Sequence, residues 1–220
     1  MAHIEHFTFN NFQTNCFVIW DESGKCVIAD PGCASDSEIS ELTGFISGKG
    51  LKPTCILLTH CHFDHTYGAA ALSRTFGIPV HAGKEEMFTI ETTNPMLSKV
   101  FGLPLPEEFE ISFVSEGDTV EAGDFRFEVL ETPGHSAGGL CFLEKNGKTL
   151  FSGDTLFAGA IGRTDHPGGD YDAIIKSILE KLVVLDGEIE VVPGHGPTSS
   201  IAEEGMTNPF LMPFNEPYEE

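Results

Sequence analysis

The stretch Leu57–Gly68, LLTHCHFDHTYG, puts three histidines, an aspartate and a cysteine between His60 and His65, in a chain with 9 histidines among 220 residues. The apolar run TCILLT (54–59) precedes it and reads as a buried strand. Residues 66–76 follow it and read as a helix, packed through Ala69–Leu72 and stopped at Gly77. The motif His60-x-His62-x-Asp64-His65 therefore sits on a strand-end loop. Alternate residues of an extended loop point the same way, so His60 and His62 converge on one point. Asp64 and His65 come as the chain turns into the helix and face a neighbouring point. Imidazole and carboxylate are the ligands that zinc, iron or manganese takes. Alternation turns Cys61 away from that point, as a packed spacer.

Three more turns end apolar strands: TPGHSAG with His135, FSGDTLF with Asp154 and VPGHGP with His195. Each alone is an ordinary loop. Together with the first motif they bring seven donors to strand ends, enough for two metal ions rather than one.

Strand patterns cover roughly 3–9, 15–20, 26–30, 54–59, 78–82, 125–131, 139–144, 148–153 and 189–192, with a tight hairpin at Asn146-Gly147. Ser35 and Glu38 form a capping box ahead of a helix with Ile39, Leu42, Phe45 and Ile46 on one face. Asp170 caps a second helix whose face holds Tyr171, Ile174, Ile175, Ile178, Leu179 and Leu182. A short helix is expected near 199–206. Residues 83–110 depart from the main layers, as a lid or a self-packed segment. The pattern predicts one domain, 1–220, of α/β class: two packed sheets with helices outside.

The formal net charge of −22 disfavours phosphate backbones and anionic membrane surfaces, so neither nucleic acid nor membrane is an expected partner. The N-terminus shows no secretory leader. Four of the six cysteines lie in strand-like runs, which reads as buried thiols in a reducing, cytoplasmic setting.

The series THCHFDH, TPGHSAG, FSGDTLF, VPGHGP resembles the metallo-β-lactamase superfamily. Within it, IGRTDHPGGDYDAIIKSI and TSSIAEEGMTNPFL resemble short, single-domain glyoxalase II-like (hydroxyacylglutathione hydrolase-like) enzymes, from Thr14 to about Leu211. The resemblance implies a four-layer αββα sandwich with metals at one edge of the two sheets. It implies that His60, His62 and His135 hold a first metal, that Asp64, His65 and His195 hold a second, and that Asp154 bridges them. The implied cofactor is two divalent ions, zinc with iron or manganese as alternatives. The implied reaction is attack of a metal-bridging hydroxide on a small acyl thioester, with Asp64 orienting the water or taking its proton. His65 as a ligand, and Asp154 rather than cysteine, depart from the lactamase branch and disfavour a β-lactam.

Two alternatives stay open. A persulfide dioxygenase of this superfamily uses a single iron, for which His60, His135 and Asp154 would serve, and lactone hydrolysis is a variant of the leading reaction. Arg163 and Asp165 are expected to form a buried ion pair behind the Asp154 loop, and Asp30 to brace a loop. Tyr67 reads equally as cleft-lining or surface, His81 and His166 as ordinary loop or strand residues in preference to a place at the cleft, and His3 and His6 as plain strand residues. With 25 residues after His195, no dedicated glutathione-binding unit is expected there.

Overall fold

The computed structural model describes residues 3–146 and 148–212. Gly147 of the expected hairpin and the PFNEPYEE tail lie outside them.

Two mixed six-stranded sheets dominate. The first runs in spatial order β1 (His3–Phe9), β2 (Thr14–Trp20), β3 (Lys25–Ala29), β4 (Lys52–Leu57), β5 (Val80–Gly83), β6 (Ile111–Val114). The second comprises β7 (Thr119–Ala122), β8 (Phe125–Glu131), β9 (Leu140–Glu144), β10 (Thr149–Gly153), β13 (Glu190–Pro193) and β14 (Ser199–Ser200), in the order β14-β13-β10-β9-β8-β7. A small ribbon, β11 (Leu156–Phe157) with β12 (Ala160–Ile161), follows β10.

Side-chain alternation explains the layering. In β2, Phe17 and Ile19 enter the core between the sheets, where they meet Phe127, Phe142 and Phe151. Cys16 and Val18 point the other way and pack under α1 (Asp36–Gly48) and α3 (Ala69–Phe76) through Leu42, Ile46 and Leu72. The second sheet repeats this. Leu143, Leu150 and Val191 face outward to Ile174, Ile175 and Ile178, of α6 (Tyr171–Ser177) and the wider turn (Ile178–Leu182) that continues it. Strands buried on both faces need helices on both outer sides, which gives the expected αββα sandwich.

Ser35 and Asp170 cap α1 and α6 as their sequences require. Tyr171, however, is half exposed. The Pro133-Gly134 turn meets α6 at Ile174, one turn further on than Tyr171. Residues 83–110 are also more integrated than an excursion. α4 (Glu86–Phe88), a wider turn (Thr89–Thr93) and α5 (Asn94–Phe101) form one winding segment, in which Glu86, Thr89, Thr93 and Asn94 are buried. Its exposed apolar residues are Phe88 and Met96, and further on Val100, Phe101 and Leu105. Among the described residues no helix is long and apolar enough to cross a membrane.

Candidate metal centre

The ends of β3, β4, β8, β10 and β13 reach the same edge of the sandwich, and the loops after them carry Asp30, the His60–His65 motif, His135, Asp154 and His195. A short helix, α2 (Phe63–Thr66), places Asp64 and His65 in its first turn. All seven donors expected from the sequence are brought together. Three trios have donor atoms within 4.8 Å of one another: His60, His62 and His135; His60, His65 and Asp154; and Asp64, His65 and His195.

Separations within the cluster suit a shared cation. Ligands held tetrahedrally at about 2.1 Å lie about 3.4 Å apart. His62 Nδ1 is 2.9 Å from His135 Nε2, and His65 Nε2 is 3.3 Å from His195 Nε2. Asp64 Oδ2 lies 3.6 and 3.4 Å from the Nε2 atoms of His65 and His195. Asp154 spans the groups: Oδ2 is 3.4 Å from His135 Nε2 and Oδ1 is 3.5 Å from His65 Nε2. Asp154 Oδ1 and His60 Nε2 are buried and without a hydrogen-bond partner, which is costly unless a cation takes up their lone pairs.

The outer nitrogens fix the tautomers. His135 Nδ1 lies 2.8 Å from the carbonyl of Arg163, and His195 Nδ1 lies 3.3 Å from that of Gln13. His60 Nδ1 is 3.2 Å from Thr59 Oγ1, which itself donates to Asp30 at 2.7 Å. His65 Nδ1 is 3.2 Å from the same Asp30 carboxylate. An acceptor at Nδ1 keeps the proton there and leaves the Nε2 lone pair facing inward. Asp30 thus orients His60 through Thr59 and stands as a charge partner against His65, as loop-bracing implies. It does so from a left-handed backbone, φ 46°, a strain of about 1–3 kcal/mol that persists where surroundings over-determine it.

Burial, and then neighbouring imidazoles, push His60 and His62 well below the usual histidine range, which favours the neutral form a metal would need. Burial opposes charge at His65 too, but Asp64, Asp154 and Asp30 outweigh it and raise its pKa to about 10. Asp64 is held below the usual carboxylate range against its own burial, by His65 and His195. The field at the second trio therefore favours a positive charge.

Several contributors escaped the sequence reading. Thr14 Oγ1 donates to Asp64 Oδ2 at 2.9 Å, and Asn10 Nδ2 donates to the Asp64 carbonyl at 2.9 Å. Asn15 donates to the carbonyls of Pro193 and Gly196 on either side of the His195 turn, and lies 2.8 Å from His6 Nε2. His6 is therefore more than a plain strand residue. His166 stands edge-on to both His62 and His135, with ring centroids 4.8 and 5.0 Å apart, so it belongs beside the site. The sequence offered a place at the cleft for His166 only as the less favoured reading. Arg163 and Asp165 do pair, in a two-pronged contact, but both are largely exposed. What supports the site there is the Arg163 carbonyl, not its charge. Cys61 is fully buried and outside the donor cluster. Burial, then the Asp64 charge, push the Tyr67 hydroxyl up to about 12, and it donates to the Pro104 carbonyl.

A metallo-beta-lactamase superfamily model matches residues 10–197. The chain is 38% identical over 214 residues to the hydroxyacylglutathione hydrolase GloC of Haemophilus influenzae, spanning 95% of this chain and 98% of that relative. Among solved structures it is similar to BLEG-1 B3 metallo-beta-lactamase, at 35% identity and a TM-score of 0.87 over 95% of this chain and 99% of that one. It is also similar to TTHA1623 in a di-iron-bound form, at 35% identity and 0.83 over 94% and 100%. With its two-sheet sandwich and its His/Asp cluster at the sheet edge, the chain belongs to the metallo-β-lactamase superfamily.

Proposed function

We propose that the chain is a dinuclear metal-dependent hydrolase of small acyl thioesters. The observation that carries this reading is the place of Asp154, with one oxygen 3.4 Å from His135 Nε2 and the other 3.5 Å from His65 Nε2. His60, His62 and His135 would hold one cation and Asp64, His65 and His195 a second, with Asp154 serving both. Zinc suits these donors, and iron or manganese is compatible with them. Bound there, such ions supply Lewis acidity towards a carbonyl oxygen and lower the pKa of a water.

The chain's own residues do the rest. Thr14 holds Asp64 by one oxygen, so that the carboxylate is set to orient the attacking water or accept its proton. Asp30 through Thr59, and the carbonyls of Arg163 and Gln13, keep three imidazoles, His60, His135 and His195, in the tautomer that points a lone pair inward. The thioester class is supported by the likeness to a hydroxyacylglutathione hydrolase along almost the whole of both chains. The likeness to a structure named as a B3 metallo-β-lactamase favours a second reading, opening of a β-lactam amide, against the expectation from His65 and Asp154.

A steady-state screen decides among these readings. It compares S-lactoylglutathione, thioesters of shorter thiols, a chromogenic cephalosporin, and glutathione persulfide with oxygen uptake. Thioester turnover that disappears with chelator and returns with metal is the expected result. A cephalosporin kcat/KM well above every thioester's, or persulfide-dependent oxygen uptake as the main activity, would overturn the proposal.

A further inference from the structure

Glu86 is a carboxylate with no exposed surface, on the winding segment 86–101, and it is not one of the seven donors. Its two oxygens go to two different loops. Oε2 accepts from Cys61 N–H at 2.6 Å, and Oε1 accepts from Gly138 N–H at 3.0 Å. Cys61 lies between His60 and His62, and Gly138 lies three residues after His135. One buried side chain therefore ties together the two loops that carry the first trio.

Asn94, also buried, completes the arrangement. Its Nδ2 donates to the Cys61 carbonyl at 2.8 Å and its Oδ1 accepts from Phe63 N–H at 3.1 Å. The Cys61 N–H, Cys61 carbonyl and Phe63 N–H belong to three consecutive peptide groups, those joining residues 60 to 63. Each is held by one side-chain hydrogen bond from Glu86 or Asn94. Peptide planes are rigid, so fixing three in a row fixes the Cα–Cβ direction of His62, and one of the two planes that set His60; the other, 59–60, is held by Leu140 N–H donating to the Thr59 carbonyl at 2.7 Å. The close approach has a sequence requirement. A Cβ on Gly138 would fall 2.5 Å from Glu86 N, so only glycine admits the segment this near to the His135 loop. The same segment reaches the third wall of this side: Thr93 Oγ1 donates to the Pro167 carbonyl, next to His166, at 2.7 Å. No hydrogen bond of Glu86 or Asn94 goes to His65, Asp154 or His195.

We infer that Glu86 and Asn94 are positioning residues that set the first metal site, His60, His62 and His135, through the backbone on either side of its ligands. The inference rests on the metal-site assignment proposed above. It makes residues 86–94 a buttress of the site, whatever the later part of the segment does. It also predicts a site-selective effect, which a general loss of packing would not give.

The test uses the full chain. Zinc affinities of the two sites are measured by competition with a chromophoric chelator, in the wild type, Glu86→Gln and Asn94→Ala, with His195→Ala to report the first site alone. Glu86→Gln keeps the size but turns an NH2 group towards one of the two N–H donors. Loss of partners that orient ligands commonly weakens a metal by about 10–100-fold, and that loss is expected at the first site, with the second within about threefold of wild type. In parallel, amide exchange in the metal-free proteins should show faster exchange at Cys61 and Gly138 in Glu86→Gln, and at Phe63 in Asn94→Ala. This arm stands without metal, so a wild type that bound no zinc would sink the functional reading while exchange still decided the clamp. If Glu86→Gln does not fold, Asn94→Ala carries both arms, since it leaves the Glu86 carboxylate in place. First-site affinity within about threefold of wild type, equal weakening of both sites, or unchanged exchange at these amides would overturn the inference.

Discussion

Gly194→Ala isolates the geometry of the proposed bridge. Gly194 has no left-handed backbone requirement, so alanine adds a methyl and no φ strain. That methyl would lie 2.3 Å from Asp154 Oδ1 and 2.6 Å from His65 Cε1. The backbone has no room to retreat, because Gly194 N–H donates to the Gly153 carbonyl at 2.8 Å and its carbonyl accepts from Asn15 N–H at 2.8 Å. Asp154 must therefore move by about 0.7 Å to reach even the closest contact real Cβ atoms show, more than the about 0.5 Å within which a working site must be held. Overpacking of this kind costs about 1–3 kcal/mol of stability, so the protein should still fold, with a Tm lowered by several degrees. The expected outcome is a large loss of metal from purified protein and a larger loss of kcat than of thermal stability. Elemental analysis, thermal unfolding and thioester turnover on one preparation read all three. Wild-type metal content and kcat in Gly194→Ala would refute the placement of Asp154 between the two groups.

Other consequences follow from the same contacts. Asp154→Ala should deplete both sites, whereas His195→Ala should mainly weaken the second and Cys61→Ser should leave metal content unchanged; metal equivalents per chain check all three. Thr14→Val removes the one hydroxyl donated to Asp64. It should lower stability by about 1.5–3 kcal/mol, as for a hydrogen bond to a charged group, and reduce kcat with both metals retained. All six cysteines are buried and free, and burial, then Cys55, pushes Cys26 up to about 12. At pH 8 the native protein should thus react very slowly with a thiol-specific chromogenic disulfide and release six equivalents only on denaturation; fast reaction without denaturant would contradict the burial.

The candidate site was legible in the sequence because its proposed ligands are local signals. Five of the six donors other than Asp154 are histidines, and every donor sits just after an apolar strand, where a loop can be recognised. The layering was legible for a similar reason: strands such as NCFVIW are apolar at every second position on both faces, which only a doubly covered sheet accepts. What could not be read was support between distant segments. Glu86 looks like one more surface acid in KEEMFTI, and nothing local says that it will be buried 25 residues from Cys61. Thr14 serves Asp64 across 50 residues. Arg163 misled in the opposite way, because a charged pair suggested side-chain support while the contact that matters is a carbonyl, which no residue identity encodes. Tyr171 fits the helical period yet stays half exposed, which period alone does not tell.

The most direct test of the central claim is the metal content of the wild-type chain purified without chelator, measured together with thioester turnover. Two equivalents of zinc, iron or manganese per chain, both needed for full thioester hydrolysis, is the expected result. A firm single equivalent of iron, with persulfide oxidation as the activity it supports, would contradict the account.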